Sequence, residues 1–287
     1  MNICLKVNVQ KEKAVNYANE VINLLLENDV SVLMKEDVRD FFQNNELIHY
    51  YEDDNRLFSD ADCVITVGGD GTIIHNALFA AKNNIPLVGV NAGRVGYAAE
   101  IEFSEINLLK KILKGDYEVE QRMILEVSIE KSDETLTYYC INEVVISRGQ
   151  LSRIIDMTLF VNDEKTMNYR ADGLIFATPT GSTAYSLSAG GPVVEPTMQC
   201  IVMTPICPYA LMDKTLIFSE GTSLAVVANR HSAEDEKSYV TIDGQTVIPL
   251  SSKDKVTIRR SPLTLKLISL KKRNFCRLVG QKLKEDY

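Results

Sequence analysis

Along the first hundred residues apolar positions recur with two different periods in turn. ICLKVNV (3–9) reads as a strand, and from Val15 to Glu27 the residues Val15, Ala18, Val21, Ile22 and Leu25 fall on one helical face. DVSVLMK (29–35) and DCVITV (62–67) predict further strands, Ile73 to Lys82 a helix, and IPLVGVN (85–91) another strand. Strands alternating with helices predict a parallel sheet whose ligands bind beyond the C-terminal strand ends. From about Tyr117 the pattern changes to short β-rich runs separated by turn residues: MILEVSIEK, TLTYYCINEVVIS, DMTLFVNDE, GLIFATP, SLAVVAN, YVTID and KVTIRR. The last segment, RNFCRLVGQKLKEDY, returns to helical spacing through Phe275, Leu278, Val279 and Leu283. The pattern therefore predicts an α/β N-terminal domain with a parallel, Rossmann-like sheet and a β-rich C-terminal domain, antiparallel and sandwich-like. Residues 1–105 are assigned to the first, with 263–287 packing back on it, and 106–262 to the second.

Composition narrows the function classes. The 287 residues suffice for two cores, and 45% are hydrophobic. A formal net charge of −8 argues against a nucleic-acid partner, which a basic stripe would grip, but leaves room for one locally positive pocket. The six cysteines (4, 63, 140, 200, 207 and 276) form no C-x-x-C pair and several sit in apolar runs, as expected of buried, reduced thiols. The N-terminus lacks a basic-then-apolar leader, and no apolar run reaches the roughly 18 residues of a membrane helix. A soluble, cytoplasmic protein with no membrane partner is expected.

Two clusters can carry chemistry. In TVGGDGTIIHNA, Gly68, Gly69 and Gly71 surround Asp70 between a strand and a helix, with Thr72 next. Bare backbone there lets amides approach a phosphate at a helix N-terminus, yet a carboxylate repels phosphate unless it holds a metal or takes a proton from an attacking hydroxyl. A plain helix N-cap is the alternative for Asp70. In YRADGLIFATPTGSTAYSLSAGGP, Thr178, Thr180, Ser182, Thr183, Ser186 and Ser188 crowd hydroxyls onto a loop, either for a ribose, amide or pyrophosphate or merely as a turn. Asn142 and Glu143 head an apolar strand, in a turn or facing a cleft. No His/Cys/carboxylate set has the spacing of a protein metal cage.

These residues also carry a resemblance. GGDGT with NAGRVGY, NEVVI, DGLIFATPTGSTAYSLSAGGP and IDGQ are similar, in order, to the motif series of the ATP-NAD kinases. GGDGT alone is shared with lipid kinases and, in related form, 6-phosphofructokinases; the long DG…TPTGSTAYSLSAGGP string is specific. The resemblance implies transfer of the ATP γ-phosphoryl group to the 2′-hydroxyl of the adenosine ribose of NAD, with Mg²⁺ brought by the nucleotide. It also implies a homo-oligomer, dimer or tetramer, that completes sites across subunits. It makes Asp70 the general base and Gly68, Gly69, Gly71 and Thr72 the phosphate-donor loop. Asp70, Gly71, His75, Asn142, Glu143, Arg153, Arg170, Asp172, Thr183, Ala184, Tyr185, Ser186, Leu187, Ser188 and Gln245 become the NAD contacts, and no residue becomes a metal ligand. Two departures stand out: Tyr97 where the family commonly has Phe, and CPYALMDKT, which lacks the family's Pro-His-x-Leu and arginine, so Tyr209 to Thr215 receive no role. The rivals are a lipid kinase, which needs an apolar acceptor groove, and a non-catalytic NAD(P)-binding regulator, which has no use for Asp70.

Overall fold

Runs that are apolar at nearly every position, not every second one, make strands buried on both faces. Cys63–Gly68 and Leu87–Asn91 are buried throughout in the computed structural model, which describes residues 1–42, 46–93, 99–149, 154–210, 214–229, 238–272, 275 and 279–280. The chain divides into two units, Met1–Gln121 with Thr264–Tyr287, and Arg122–Leu263.

The first unit runs β1 (Asn2–Val7), α1 (Glu12–Leu26), β2 (Ser31–Lys35), β3 (Ile48–Tyr51), α2 (Asp54–Ser59), β4 (Cys63–Gly68), α3 (Asp70–Lys82), β5 (Leu87–Asn91), β6 (Ile101–Glu102) and α4 (Lys110–Leu113). The five main strands pair in parallel in the order β3-β2-β1-β4-β5. The chain leaves β1 toward one edge and returns at β4 toward the other. The C-terminal ends of β1 and β4 therefore flank the topological switch point, where open α/β sheets bind ligands. One apolar layer joins Ala14, Ala18, Val21, Ile22 and Leu25 of α1 to Ile3, Ile65 and Val90 of the sheet. The opposite face packs Leu57, Phe58, Ile73 and Ala80 on Cys4, Leu33 and Val64. The period-based reading passes over β3 and α2, which at four and six residues are too short for a periodicity to show. Residues 106–121 fall in this unit, and not with the β-rich part as expected: Leu109 and Ile112, with Ile106, Leu108 and Leu113, complete the α1-side core.

The second unit contains β7 (Glu118–Glu130, from Arg122 onward), β8 (Thr135–Cys140), β9 (Glu143–Arg148), β10 (Ile155–Val161), β11 (Glu164–Ala171), β12 (Gly173–Ala177), α5 (Tyr185–Ser188), β13 (Cys200–Ile206), β14 (Leu216–Ser219), β15 (Leu224–Asn229), β16 (Ser238–Ile242), β17 (Thr246–Leu250) and most of β18 (Lys255–Ser269). One antiparallel sheet has the order β14-β13-β12-β9-β16-β17. Facing it, β11-β10-β15-β18 pair antiparallel, and β7 pairs with β18 and β8. Val144, Ile146, Leu174, Phe176 and Met203 from the first layer share a core with Met157, Leu159, Val226, Val256 and Ile258 from the second. This is a β-sandwich whose inward faces alternate with outward ones. β18 serves both units, its end pairing in parallel with β5 through Leu267 and Leu87.

Cys4, Cys63, Cys140 and Cys200 are buried and free, and burial pushes the Cys4 thiol up to about 12. Cys207 corrects the expectation of uniform burial: it is exposed, at a left-handed φ of 45° in the turn after β13. Cys276, Leu278 and Leu283 lie outside the described residues, as do residues 94–98, which carry most of NAGRVGY and include Tyr97.

Candidate active site

The glycine turn joins β4 to α3 at the switch point. Asp70 is not the N-cap: Gly69 occupies that position, no side chain caps the helix, and Asp70 begins its first turn. There the helix dipole favours its negative charge. The helix starts three residues before the period-based reading placed it, because Asp70, Gly71 and Thr72 carry no apolar signal. Gly68 has a local reason to be glycine, since a Cβ would stand 2.7 Å from Thr72 Cβ and Oγ1. Gly69 and Gly71 do not. A Cβ on either would meet no described atom within 4 Å, and neither adopts a positive φ. Gly71 is the second residue of the helix, a position that alanine would also fit. Nothing described inside the protein asks for these two bare positions. Asn8, at the end of β1, reaches the same turn through Nδ2 to Thr72 Oγ1 at 3.4 Å. Asp70 is half-buried, and His75, one turn on, is exposed.

In the second unit the bend at 141–143, between β8 and β9, is held from two sides. Thr178 accounts for two of its carbonyls: its Oγ1 donates to Ile141 O at 2.7 Å and its N–H to Asn142 O at 2.9 Å. Asp243, from the β16–β17 hairpin, accepts the N–H groups of Ile141, Asn142 and Glu143 at 2.8, 2.7 and 3.1 Å. Gly181 closes over the bend so tightly that a Cβ would lie 2.1 Å from Asn142 O.

Four hydroxyls of the following loop prove to be internal ties, among them Thr183 Oγ1, which donates to Thr180 O at 3.3 Å. Thr178 holds the bend, Ser182 Oγ donates to Pro179 O and accepts from Val194 N, and buried Ser186 Oγ pairs with Thr204 Oγ1 at 2.9 Å. The side chain of Ser186 thus faces the protein. Thr183, Ala184 and Leu187 are half-buried, whereas Tyr185 and Ser188 are exposed.

Glu143 is the electrostatically unusual residue. It is 6% exposed, and its Oε2 has no hydrogen-bond partner among the described residues. Burial first, and then the Asp243 carboxylate, push its pKa up to about 7, against a lowering contribution from the Tyr185 N–H. Burial also raises Asp243, partly offset by its three N–H donors. A carboxyl whose folded pKa lies above its unfolded value makes stability fall as pH rises from about 4.5 to 7. Glu143→Gln is therefore expected to gain about 3 kcal/mol over the wild type at pH 8 relative to pH 5 in ligand-free denaturant titrations. An equal difference at both pH values would refute the raised pKa.

Not every residue singled out in the second unit lies beside this bend. β9 and β12 pair Glu143 with Ala177 and Ser147 with Gly173, so Asp172 leaves the sheet at the far end from Glu143, roughly 14 Å or more away along the strands. Asp172 bonds Arg148 Nη2 at 3.0 Å, and exposed Arg170 stacks over Tyr209 at 5.8 Å and lies 3.8 Å from Asp156. Gln245 is exposed at the hairpin that bears Asp243. Arg153 and residues 211–213 of the divergent stretch lie outside the described residues. Sequence reasoning missed Asp243, Thr178 as a backbone clamp, and Arg148. Only Asp243 had a signal, the Asp-Gly of a tight hairpin.

An α/β sheet with a carboxylate in a bare glycine turn at its switch point, and a β-sandwich presenting an amide and a carboxyl from a braced bend, define a phosphotransferase acting on a hydroxyl. Family models for the ATP-NAD kinase N-terminal and C-terminal domains match residues 3–117 and 141–270. The chain belongs to the ATP-NAD kinase family. It is 38% identical over 280 residues to an NAD kinase of Thermoanaerobacter sp. (strain X514), covering 97% of each chain. It is 40% identical over 226 residues to that of Geobacter sulfurreducens, covering 78% of each. Among solved structures, it resembles the NAD kinase from Archaeoglobus fulgidus in complex with ATP, with TM-score 0.72, 27% identity and 98% of each chain covered. Yeast NADH kinase complexed with NADH shares the fold at TM-score 0.87 and 24% identity, over 99% of this chain and 87% of that one.

Proposed function

We propose that the chain transfers the γ-phosphoryl group of ATP to the 2′-hydroxyl of the adenosine ribose of NAD, with Asp70 taking the hydroxyl proton. The observation that carries this reading is the pair of bare positions, Gly69 and Gly71, on either side of Asp70 at the N-terminus of α3. Their amides suit a phosphate chain, and the carboxylate between them suits the acceptor hydroxyl. Gly68 and Thr72 belong to the same donor loop, and Asp70, Gly71 and His75 also contact NAD. Asn142 and Glu143 hold NAD through its ribose and adenine groups, with Thr183, Ala184, Tyr185, Leu187, Ser188 and Gln245 along the dinucleotide and Ser186 bracing the loop beneath it.

Arg170 and Asp172, at the opposite end of β12 from Glu143, contribute to the site of a neighbouring copy in a homo-oligomer, as does Arg153. Mg²⁺ accompanies the nucleotide. The oxygen donor at the turn is Asp70, and among the described residues no group of three His, Cys, Asp or Glu stands close enough to cage an ion. Bound with the nucleotide, Mg²⁺ would offset phosphate charge. No described helix is long and apolar enough to cross a membrane, and we place the enzyme in the cytoplasm.

The decisive assay mixes the protein with ATP, Mg²⁺ and NAD, and follows NADP through a NADP-specific dehydrogenase. NADP should accumulate, EDTA should stop it, and the melting temperature should hardly change with EDTA. Diacylglycerol in micelles should not be phosphorylated. NAD binding without NADP formation would favour a non-catalytic regulator, and a large destabilisation by EDTA would reveal a structural metal.

A further inference from the structure

We infer that Asp243 is a positioning residue for NAD: it captures the three consecutive N–H groups of the 141–143 bend and so sets where Asn142 and Glu143 meet the dinucleotide. This rests on the NAD kinase reading above. The hairpin that carries Asp243 joins β16 to β17 through three residues, of which Asp243 (φ 47°) and Gly244 (φ 67°) are left-handed, and Gln245 N–H donates to Ile242 O at 2.9 Å. Asp-Gly suits that turn, but so do Asn-Gly and Gly-Gly, so the turn by itself does not ask for a carboxylate. The bend does. Three successive N–H groups point into one concavity, and a carboxylate with two acceptor oxygens takes all three. The link is reciprocal, because Asp243 N–H donates to Glu143 O at 3.0 Å.

The bend's other face is closed by Thr178 and Gly181, so its backbone has little freedom to choose another course. Asn142 and Glu143 project from the only stretch between these two clamps. Asp243 also acts on Glu143 electrostatically, since its charge favours the protonated acid. The groups facing Glu143 are the Asp243 carboxylate from the hairpin, the Cys140 thiol from the end of β8, and the Tyr185 N–H from α5. A Glu143 carboxyl that keeps its proton avoids placing a second negative charge beside Asp243.

Asp243→Asn and Asp243→Gly both suit the left-handed turn, so the hairpin should survive in each. Asn keeps one acceptor oxygen and turns an NH₂ toward an N–H of the bend; Gly removes the acceptor altogether. Steady-state kinetics should show KM for NAD raised about tenfold or more, larger for Gly, with kcat within about threefold and KM for ATP unchanged. Calorimetry with NAD alone should show the same loss of affinity. The pH at which NAD affinity changes, set by Glu143, should move lower in Asp243→Asn because a neighbouring negative charge has gone. Unchanged NAD affinity and pH dependence, with only a lower melting temperature, would reduce Asp243 to a structural tie and overturn the proposal. If the wild type bound NAD without making NADP, the catalytic reading would fail while calorimetry still decided on Asp243. If the wild type neither bound nor phosphorylated NAD, both would fall together.

Discussion

Asp70→Asn is expected to lower kcat for NADP formation by about 100-fold or more while leaving the fold and the NAD affinity close to wild type. A ribose hydroxyl is a weak acid, and an aligned base contributes about 10²–10⁴-fold by taking its proton as the bond to phosphorus forms. Asn keeps the size of Asp and much of its hydrogen bonding but cannot accept that proton. The structure also limits the cost to stability. Asp70 is half-buried and stands on the first turn of α3 without capping it, where the helix dipole favours a negative charge by about 0.3–1 kcal/mol. A hundredfold drop in rate at unchanged melting temperature therefore reports chemistry. Asn142→Ala should show the opposite split, with KM for NAD raised and kcat largely retained, because that side chain acts in the ground state. Turnover of Asp70→Asn within a few-fold of the wild type would remove the general base from the mechanism.

Gly181→Ala should be the most destabilising single-methyl change in the second unit. The added Cβ would stand 2.1, 2.4 and 2.6 Å from Asn142 O, C and Cα. These are backbone atoms, already tied by Thr178 on one side and Asp243 on the other, so they cannot retreat as a flexible side chain would. A loss of about 3 kcal/mol or more is expected, read as a lower denaturant midpoint. Gly69→Ala is the matched contrast. Its Cβ meets no described atom within 4 Å, so stability should hold, whereas KM for ATP should rise if, as proposed, the phosphates approach this backbone. The two glycines separate protein packing from ligand packing. Equal melting temperatures for wild type and Gly181→Ala would refute the close approach, and unimpaired ATP use by Gly69→Ala would refute the donor loop.

Much of this molecule was legible in the order of its residues. The mostly apolar runs VITVG and LVGVN mark strands, and the change of period near Tyr117 marks the shift from α/β to antiparallel texture, because side-chain period follows directly from backbone geometry. Local chemistry placed Asp70 in a glycine turn, and the long hydroxyl-rich string pointed to the family. What stayed hidden was whatever depends on residues far apart in the chain. Ser186 and Ser188 look equivalent in TAYSLS, but only the fold turns Ser186 onto Thr204 and leaves Ser188 exposed. Asp172 follows Arg170 toward the TPTGS loop in sequence, yet the antiparallel register of β9 and β12 carries it to the opposite end of the sheet from Glu143. Asp243 reads as one residue of an Asp-Gly hairpin, and its three partners lie about a hundred positions away. The raised pKa of Glu143 has no sequence signature either, since it comes from burial and from that same distant carboxylate. Short-range geometry determines period, turn and motif. Register and burial, which decide what each side chain faces, are settled only when the strands pair.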